Sequence, residues 1–107
     1  MVSINSRQWE RKPHYPLAEI KAAITRLGRD TFAATTLRGI DLMGLTVAEE
    51  MAVVLGLQPE MLFMSMTTFA DHRVWQDVYH APCPNGKTAY IKVTLQSGAV
   101  VIQFKAL

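Results

Sequence analysis

The period of the hydrophobic pattern changes near residue 62, and this change constrains the fold more than any other feature. Before it, apolar residues recur at helical spacing, as at Leu17, Ile20, Ile24 and Leu27. After it, four strand-like runs follow, separated by turn dipeptides. These runs are 62–69, 74–79, 89–95 and 99–105. Helices followed by consecutive strands predict an α+β domain, with the helices packed on one face of a largely antiparallel sheet.

Helix boundaries are marked by individual residues. Pro16 is expected at the first helical position, where the missing N–H costs nothing. Thr46 and Glu49 have the spacing of a capping box, which predicts a second helix ending at Gly56. Residues 31–45 favour either a short strand or a helical turn, because isolated glycines interrupt any long helix.

Length and composition limit the function classes. With 107 residues, 50% hydrophobic, we expect one domain over 1–107, with 1–15 as an extended N-terminal arm. The single cysteine, Cys83, excludes an intramolecular disulfide and a Cys-rich zinc cluster. We expect no membrane segment, because no apolar run is long enough to span a bilayer. A reduced, cytoplasmic location follows from the cysteine count and the lack of a signal-peptide pattern.

The last hairpin can be interpreted residue by residue. A two-residue turn at 97–98 pairs Tyr90 with Lys105 across the two strands. The face toward the helices is then apolar, and the opposite face is polar. The polar face carries Tyr90, Lys92, Thr94, Gln103 and Lys105, with Val101 as its one aliphatic member.

The register of the preceding hairpin stays open. A tight turn at 85–86 puts Tyr79 opposite Lys92, whereas a one-residue bulge puts His80 opposite Tyr90. One residue of slip moves every side chain to the other face. The two prolines after His80 predict that pairing stops near that residue.

The polar face has the residue types that RNA cleavage requires. A base must take the 2′-OH proton, the phosphate's extra charge needs stabilisation, and an acid must protonate the leaving oxygen. Lysines supply positive charge, and Tyr or Gln donate hydrogen bonds. Imidazole exchanges protons near neutral pH, which makes His72 or His80 an alternative. Ordinary polar-outward alternation explains the same pattern, and the residues alone do not decide between these interpretations.

Residues 64–79, MSMTTFADHRVWQDVY, resemble the MqsR toxin family motif KSMTTYxDHxxWQDVY. The resemblance extends over roughly 10–107 and includes a similar N-terminal segment and similar final strands. It implies a RelE-like α+β fold. It also implies a ribosome-independent, sequence-selective endoribonuclease that cleaves mRNA by 2′-OH attack, without a metal or other cofactor, and so inhibits growth.

The same resemblance implies partners and site residues. The partners are single-stranded mRNA and a cognate MqsA-like antitoxin, with DNA contacted only through the antitoxin. The family's motif glutamine falls on Gln76, its strand tyrosine on Tyr90 and its final lysine on Lys105. This favours the bulged register, because Gln76 must then reach the face of Tyr90. The sequence does not identify the surface that binds the antitoxin; an exposed edge strand such as 62–69, or the basic arm, could accept it.

One position departs from the family. Met64 stands where the motif has a catalytic lysine. Lys92, Lys87 and Arg73 are candidates to supply the missing charge. The predicted RNA-binding residues are Lys92, Arg73, His80 and Met66. The substitution also predicts an alternative function, a catalytically weakened homologue that acts mainly by binding its antitoxin.

Overall fold

A computed structural model describes residues 8–96 and 99–107. The helices are α1 Leu17–Leu27, α2 Ala34–Arg38, α3 Ile40–Met43 and α4 Val47–Leu55, with 3₁₀ helices at Gly28–Thr31 and Pro59–Met61. The strands are β1 Trp9–Glu10, β2 Leu62–Thr67, β3 Trp75–Pro82, β4 Thr88–Gln96 and β5 Ala99–Ala106. All five form one antiparallel sheet in the order β1-β2-β3-β4-β5. The predicted α+β class is confirmed.

The helix boundaries predicted from the sequence are confirmed, except that α1 begins one residue later than expected. Thr46 Oγ1 accepts from the Glu49 N–H while the Glu49 carboxylate accepts from the Thr46 N–H, so α4 begins with the predicted capping box. Pro16 caps α1 from outside rather than occupying its first position, because its ψ of 132° is extended. Its carbonyl accepts from the N–H groups of Glu19 and Ile20. Residues 31–45 form helical turns rather than a strand, apart from a single β-bridge between Phe32 and Ile102.

The core lies between the helices and one face of the sheet. Ile20 and Ile24 of α1 and Val54 of α4 are buried there. They share a cluster with inward-facing sheet residues, among them Tyr79 and Ile91. The opposite face is therefore left uncovered by these helices. Within residues 8–96 and 99–107, no helix is long and apolar enough to cross a membrane.

The strand registers decide the question left open by the sequence. His80 pairs with Tyr90, which is the bulged register, and Tyr90 pairs with Lys105 as predicted. The turn at 97–98 lies outside the described residues. The ladder continues to Pro82, so the prediction that pairing stops near His80 is wrong. The Cys83 N–H donates to the carbonyl of Lys87, the residue before β4. By alternation the Pro82 nitrogen points away from β4, so its missing N–H costs no bond there.

The N-terminal arm is extended but not loose over its described part, 8–15. β1 pairs with Ser65 and Met66 of β2. Further along the chain, the N–H groups of His14 and Tyr15 donate to the Asp77 carboxylate at 2.9 to 3.0 Å. The edge of 62–69 that could have accepted an antitoxin is therefore covered by β1 at these two residues. Residues 1–7 of the predicted arm lie outside the described residues.

The carboxyl group of Glu50 is buried beside the core. Glu50 of α4 is fully buried, and neither of its oxygens has a hydrogen-bond partner among the described residues. Burial raises the pKa of Glu50 from 4.5 to about 7. Ionising this side chain in the folded protein is therefore unfavourable.

We expect the stability of the protein to fall as pH rises from 4.5 toward 7. Between the unfolded and folded pKa values of Glu50, the unfolded chain releases a proton that the folded chain retains. The loss is about 3 kcal/mol. Urea unfolding across this range measures it. In Glu50→Gln the slope should flatten, whereas Glu60→Gln at an exposed carboxylate should retain it. Equal slopes in all three proteins would contradict this assignment.

Candidate active site

The face of the sheet opposite the helices, here called the site face, carries most of the predicted functional residues. The register places them in three rows that run across the strands. The first row is His80–Tyr90–Lys105, the second Met64–Val78–Lys92–Gln103, and the third Met66–Gln76–Thr94–Val101. Directly opposed residues on neighbouring strands are close enough for side chains to interact. The three rows therefore lie side by side on one face, on which Met66, Val78 and Thr94 are buried between the more exposed side chains.

The first row is held together by ring contacts. The Lys105 Nζ lies 5.0 Å from the centroid of the Tyr90 ring, which is a cation–π distance. On the other side of Tyr90, the His80 ring lies 5.8 Å away at 41°. Lys105 is exposed and Tyr90 half-buried, so the ammonium group is presented to solvent above a fixed ring. This pair places a positive charge where an anion from solvent can reach it.

Phe63 extends this row and was not predicted from the sequence. Its ring stacks on His80 with centroids 4.3 Å apart and an interplanar angle of 15°. Strict alternation would put Phe63 on the opposite face from Met64, but the register shifts between Leu62 and Met64. This bulge turns Phe63 onto the site face, where it is 48% exposed. Phe63, His80 and Tyr90 together offer aromatic surface on which bases can stack.

His80 has an unusual environment for a polar side chain. Its Nε2 is buried and has no hydrogen-bond partner among the described residues. The ring is fixed between Phe63 and Tyr90 by the contacts above.

Gln76 lies in the third row, four residues from His80 along β3. At about 3.4 Å per residue this separates it from the first row by roughly 14 Å. The Gln76 Nε2 donates to the Thr94 Oγ1 at 3.0 Å, which fixes the amide. Gln76 is thus placed to contact one part of an extended ligand while Lys105 contacts another.

Met64 and Lys92 share the second row, with Val78 between them. No charge stands at the Met64 position itself. Lys92 lies two strands away, about 10 Å between backbones at the usual strand spacing. Among the three candidates for the missing charge, Lys92 is on the site face.

The other two candidates lie elsewhere. Arg73 is in the turn between β2 and β3, where its guanidinium pairs with the Asp71 carboxylate at 3.1 and 3.2 Å. The structure does not bring Arg73 to the three rows. The Lys87 Nζ donates to the Leu42 carbonyl at 3.0 Å, on the helix side of the β3–β4 turn.

Metal-binding groups are not brought together. Among residues 8–96 and 99–107, no three His, Cys, Asp or Glu side chains lie close enough to hold a metal ion. Cys83 is buried in the core cluster, as expected for a loop hydrophobe. Burial raises the pKa of its thiol, which disfavours the reactive thiolate.

Comparison with known proteins identifies the family. A family model described as motility quorum-sensing regulator, toxin of MqsA, matches residues 12–106. The chain belongs to the MqsR toxin family. The mRNA interferase toxin MqsR of Escherichia coli strain K12 is 31% identical over 96 residues, which cover 90% of this chain and 96% of that protein. The description of the family names its members as toxins of MqsA, which implies MqsA as their protein partner.

Proposed function

We propose that this MqsR-family chain is a toxin that cleaves mRNA as an endoribonuclease. The observation that carries the proposal is the Lys105 ammonium held over the Tyr90 ring on the uncovered face of the sheet. The family match supports the same activity, since the relative in Escherichia coli is an mRNA interferase toxin. The predicted alternative, a weakened homologue that acts mainly through its antitoxin, is not favoured by these relationships.

The proposed reaction is attack by a 2′-hydroxyl on the adjacent phosphate. The 2′ oxygen loses its proton and bonds to phosphorus, and the bond to the 5′ oxygen breaks. The 5′ oxygen then takes a proton, which leaves a 2′,3′-cyclic phosphate and a 5′-hydroxyl end. Lys105 and Tyr90 stabilise the added negative charge or transfer protons, and His80 is a further proton-transfer group.

The remaining residues of the site face bind the RNA in this proposal. Gln76, fixed by Thr94, positions the chain away from the scissile phosphate. Lys92 adds positive charge to the second row. Met66, predicted to bind RNA, is only 5% exposed beside Gln76 and supports this surface by packing. Cleavage needs no metal ion and no ribosome.

The family also supports a protein partner. We assign an MqsA-like antitoxin as the protein that neutralises this toxin, with DNA bound through that antitoxin. The toxin acts in the cytoplasm, where its mRNA substrate is. We assign residues 1–107 to a single toxin domain.

Cleavage of a labelled single-stranded RNA by the purified protein in EDTA tests this function. We expect products with 2′,3′-cyclic phosphate and 5′-hydroxyl ends, and no product when the nucleotide at the cut carries 2′-deoxyribose. Met64→Lys should raise the rate about tenfold, because it restores a charge near the reacting phosphate. Activity in Met64→Lys with none in the natural chain would instead support the weakened homologue. No activity in either protein would contradict the nuclease assignment.

A further inference from the structure

A cavity of about 430 Å³ opens at the edge of β5, beside α2 and α3. Its volume falls in the range of about 300–1,000 Å³ typical of small-molecule sites. Gln103 and Lys105 of the site face line one side of it. The cavity is thus continuous with the first and second rows of the proposed active site, although no sequence motif pointed to it.

The lining combines apolar surface with polar groups at the rim. Phe104 and Met43 contribute buried apolar surface, and Leu42 stands 84% exposed. Leu42 therefore offers apolar contact area to a ligand that enters the cavity. Gln103 and Lys105 lie at the same opening, and the Lys105 ammonium group stands over the Tyr90 ring on the site face.

The edge of β5 adds backbone groups to this wall. The Phe104 N–H donates to the Thr36 Oγ1 at 3.0 Å, so the Phe104 backbone groups point away from β4. In an antiparallel strand this direction alternates from residue to residue. The Phe104 carbonyl and the Ala106 N–H therefore face the cavity side. One acceptor and one donor on a fixed edge are suited to the polar edge of a nucleobase.

The cavity is held open by contacts behind it. The Asn85 Nδ2 donates to the Met43 carbonyl at 2.8 Å, and the Lys87 Nζ donates to the Leu42 carbonyl at 3.0 Å. These bonds fix the end of α3 against the β3–β4 turn. The cavity is therefore preformed, so binding a ligand costs little conformational entropy of the protein.

We propose that this cavity binds the base of a nucleotide adjacent to the scissile phosphate of the RNA. The inference rests on the proposed function, because Lys105 lines the cavity and also carries the charge assigned to the phosphate. A nucleotide at Lys105 places its neighbour beside Gln103 and the cavity. Apolar contact with Leu42 and Phe104 holds the base. The Phe104 carbonyl and the Ala106 N–H, at the edge of β5, determine which base binds.

A peptide strand is disfavoured at the same place. Strand addition requires a run of open backbone groups along an edge. On β5 the Ile102 carbonyl already accepts from the Ala33 N–H at 2.8 Å, and the Phe104 N–H is bonded to Thr36. These contacts leave a short open segment, long enough for one base but not for a strand.

Binding of a labelled 2′-O-methyl RNA, which has no free 2′-hydroxyl to attack, tests the proposal by fluorescence anisotropy. Thr35→Phe and Ala106→Phe fill the cavity from two exposed positions and should weaken binding about tenfold, the effect of losing one base contact. Thr25→Phe, at an exposed threonine of α1, is the matched control and should bind like the natural chain. A series of RNAs, each with one abasic position, locates the bound base. At one position the missing base should weaken RNA binding by the natural chain but not by Thr35→Phe.

The outcomes separate this proposal from the proposed function. RNA binding that depends on the cavity, with no cleavage of unmodified RNA, would leave the inference standing and contradict the nuclease. Cleavage with unchanged RNA binding in both filled variants would overturn the inference alone. Filled variants that bind RNA normally but lose the antitoxin would overturn it in favour of a protein ligand. A natural chain that binds no RNA would overturn both proposals.

Discussion

Replacing Lys105 by alanine should lower kcat/KM for RNA cleavage about 100- to 1,000-fold. The expected loss is comparable to that of one preorganised group that stabilises charge in a transition state. The Lys105 ammonium stands over Tyr90 and is exposed, so the substitution removes the charge without opening the core. Cleavage of a labelled RNA under single-turnover conditions measures the effect.

Lys21→Ala provides the matched control for this experiment. Lys21 lies on α1, which packs on the other side of the sheet, and its loss removes the same charge. We expect Lys21→Ala to cleave like the natural chain and to arrest growth when expressed without antitoxin, whereas Lys105→Ala permits growth. Equal activity in the two variants would show that Lys105 does not act on the phosphate.

Replacing Asp77 by alanine should destabilise the fold by about 3 kcal/mol or more. Asp77 is fully buried and accepts from the N–H groups of His14 and Tyr15. The Ser65 hydroxyl lies 2.7 Å from its Oδ1. Alanine leaves these donors without their acceptor, and an unsatisfied buried donor keeps its full desolvation penalty. Urea unfolding at pH 7 gives the difference.

Asp71→Ala is the corresponding surface control. Asp71 pairs with the exposed Arg73, and the guanidinium holds the pKa of the Asp71 carboxyl below its ordinary value. Surface pairs of this kind contribute about 0–1 kcal/mol. A loss in Asp77→Ala no larger than that in Asp71→Ala would mean that the N-terminal segment contributes little to the stability of the sheet.

The last hairpin was predictable because its pattern is local. A short turn and strict alternation suffice to pair Tyr90 with Lys105, and the structure has that pairing. The preceding hairpin needed additional information, since both registers satisfy the pattern. The position of Gln76 in the resembling motif favoured the bulged register, which the structure adopts.

Other features have no local signal. The shift between Leu62 and Met64 breaks alternation and brings Phe63 onto the site face. The capping box predicted where α4 begins but not that Glu50 is buried. The bonds from His14 to Asp77 join residues 63 positions apart, a separation at which periodicity carries no information.

The order of the strands has a consequence for how the molecule assembles and opens. From β2 to β5 every strand pairs with its neighbour in sequence, whereas Gln8 meets Thr67 across 59 positions. Closing so long a loop costs more chain entropy than closing a hairpin. We expect the hairpins to form first and β1 to dock last. The same segment can then detach as a separate cooperative unit while the strands that carry Tyr90 and Lys105 stay paired.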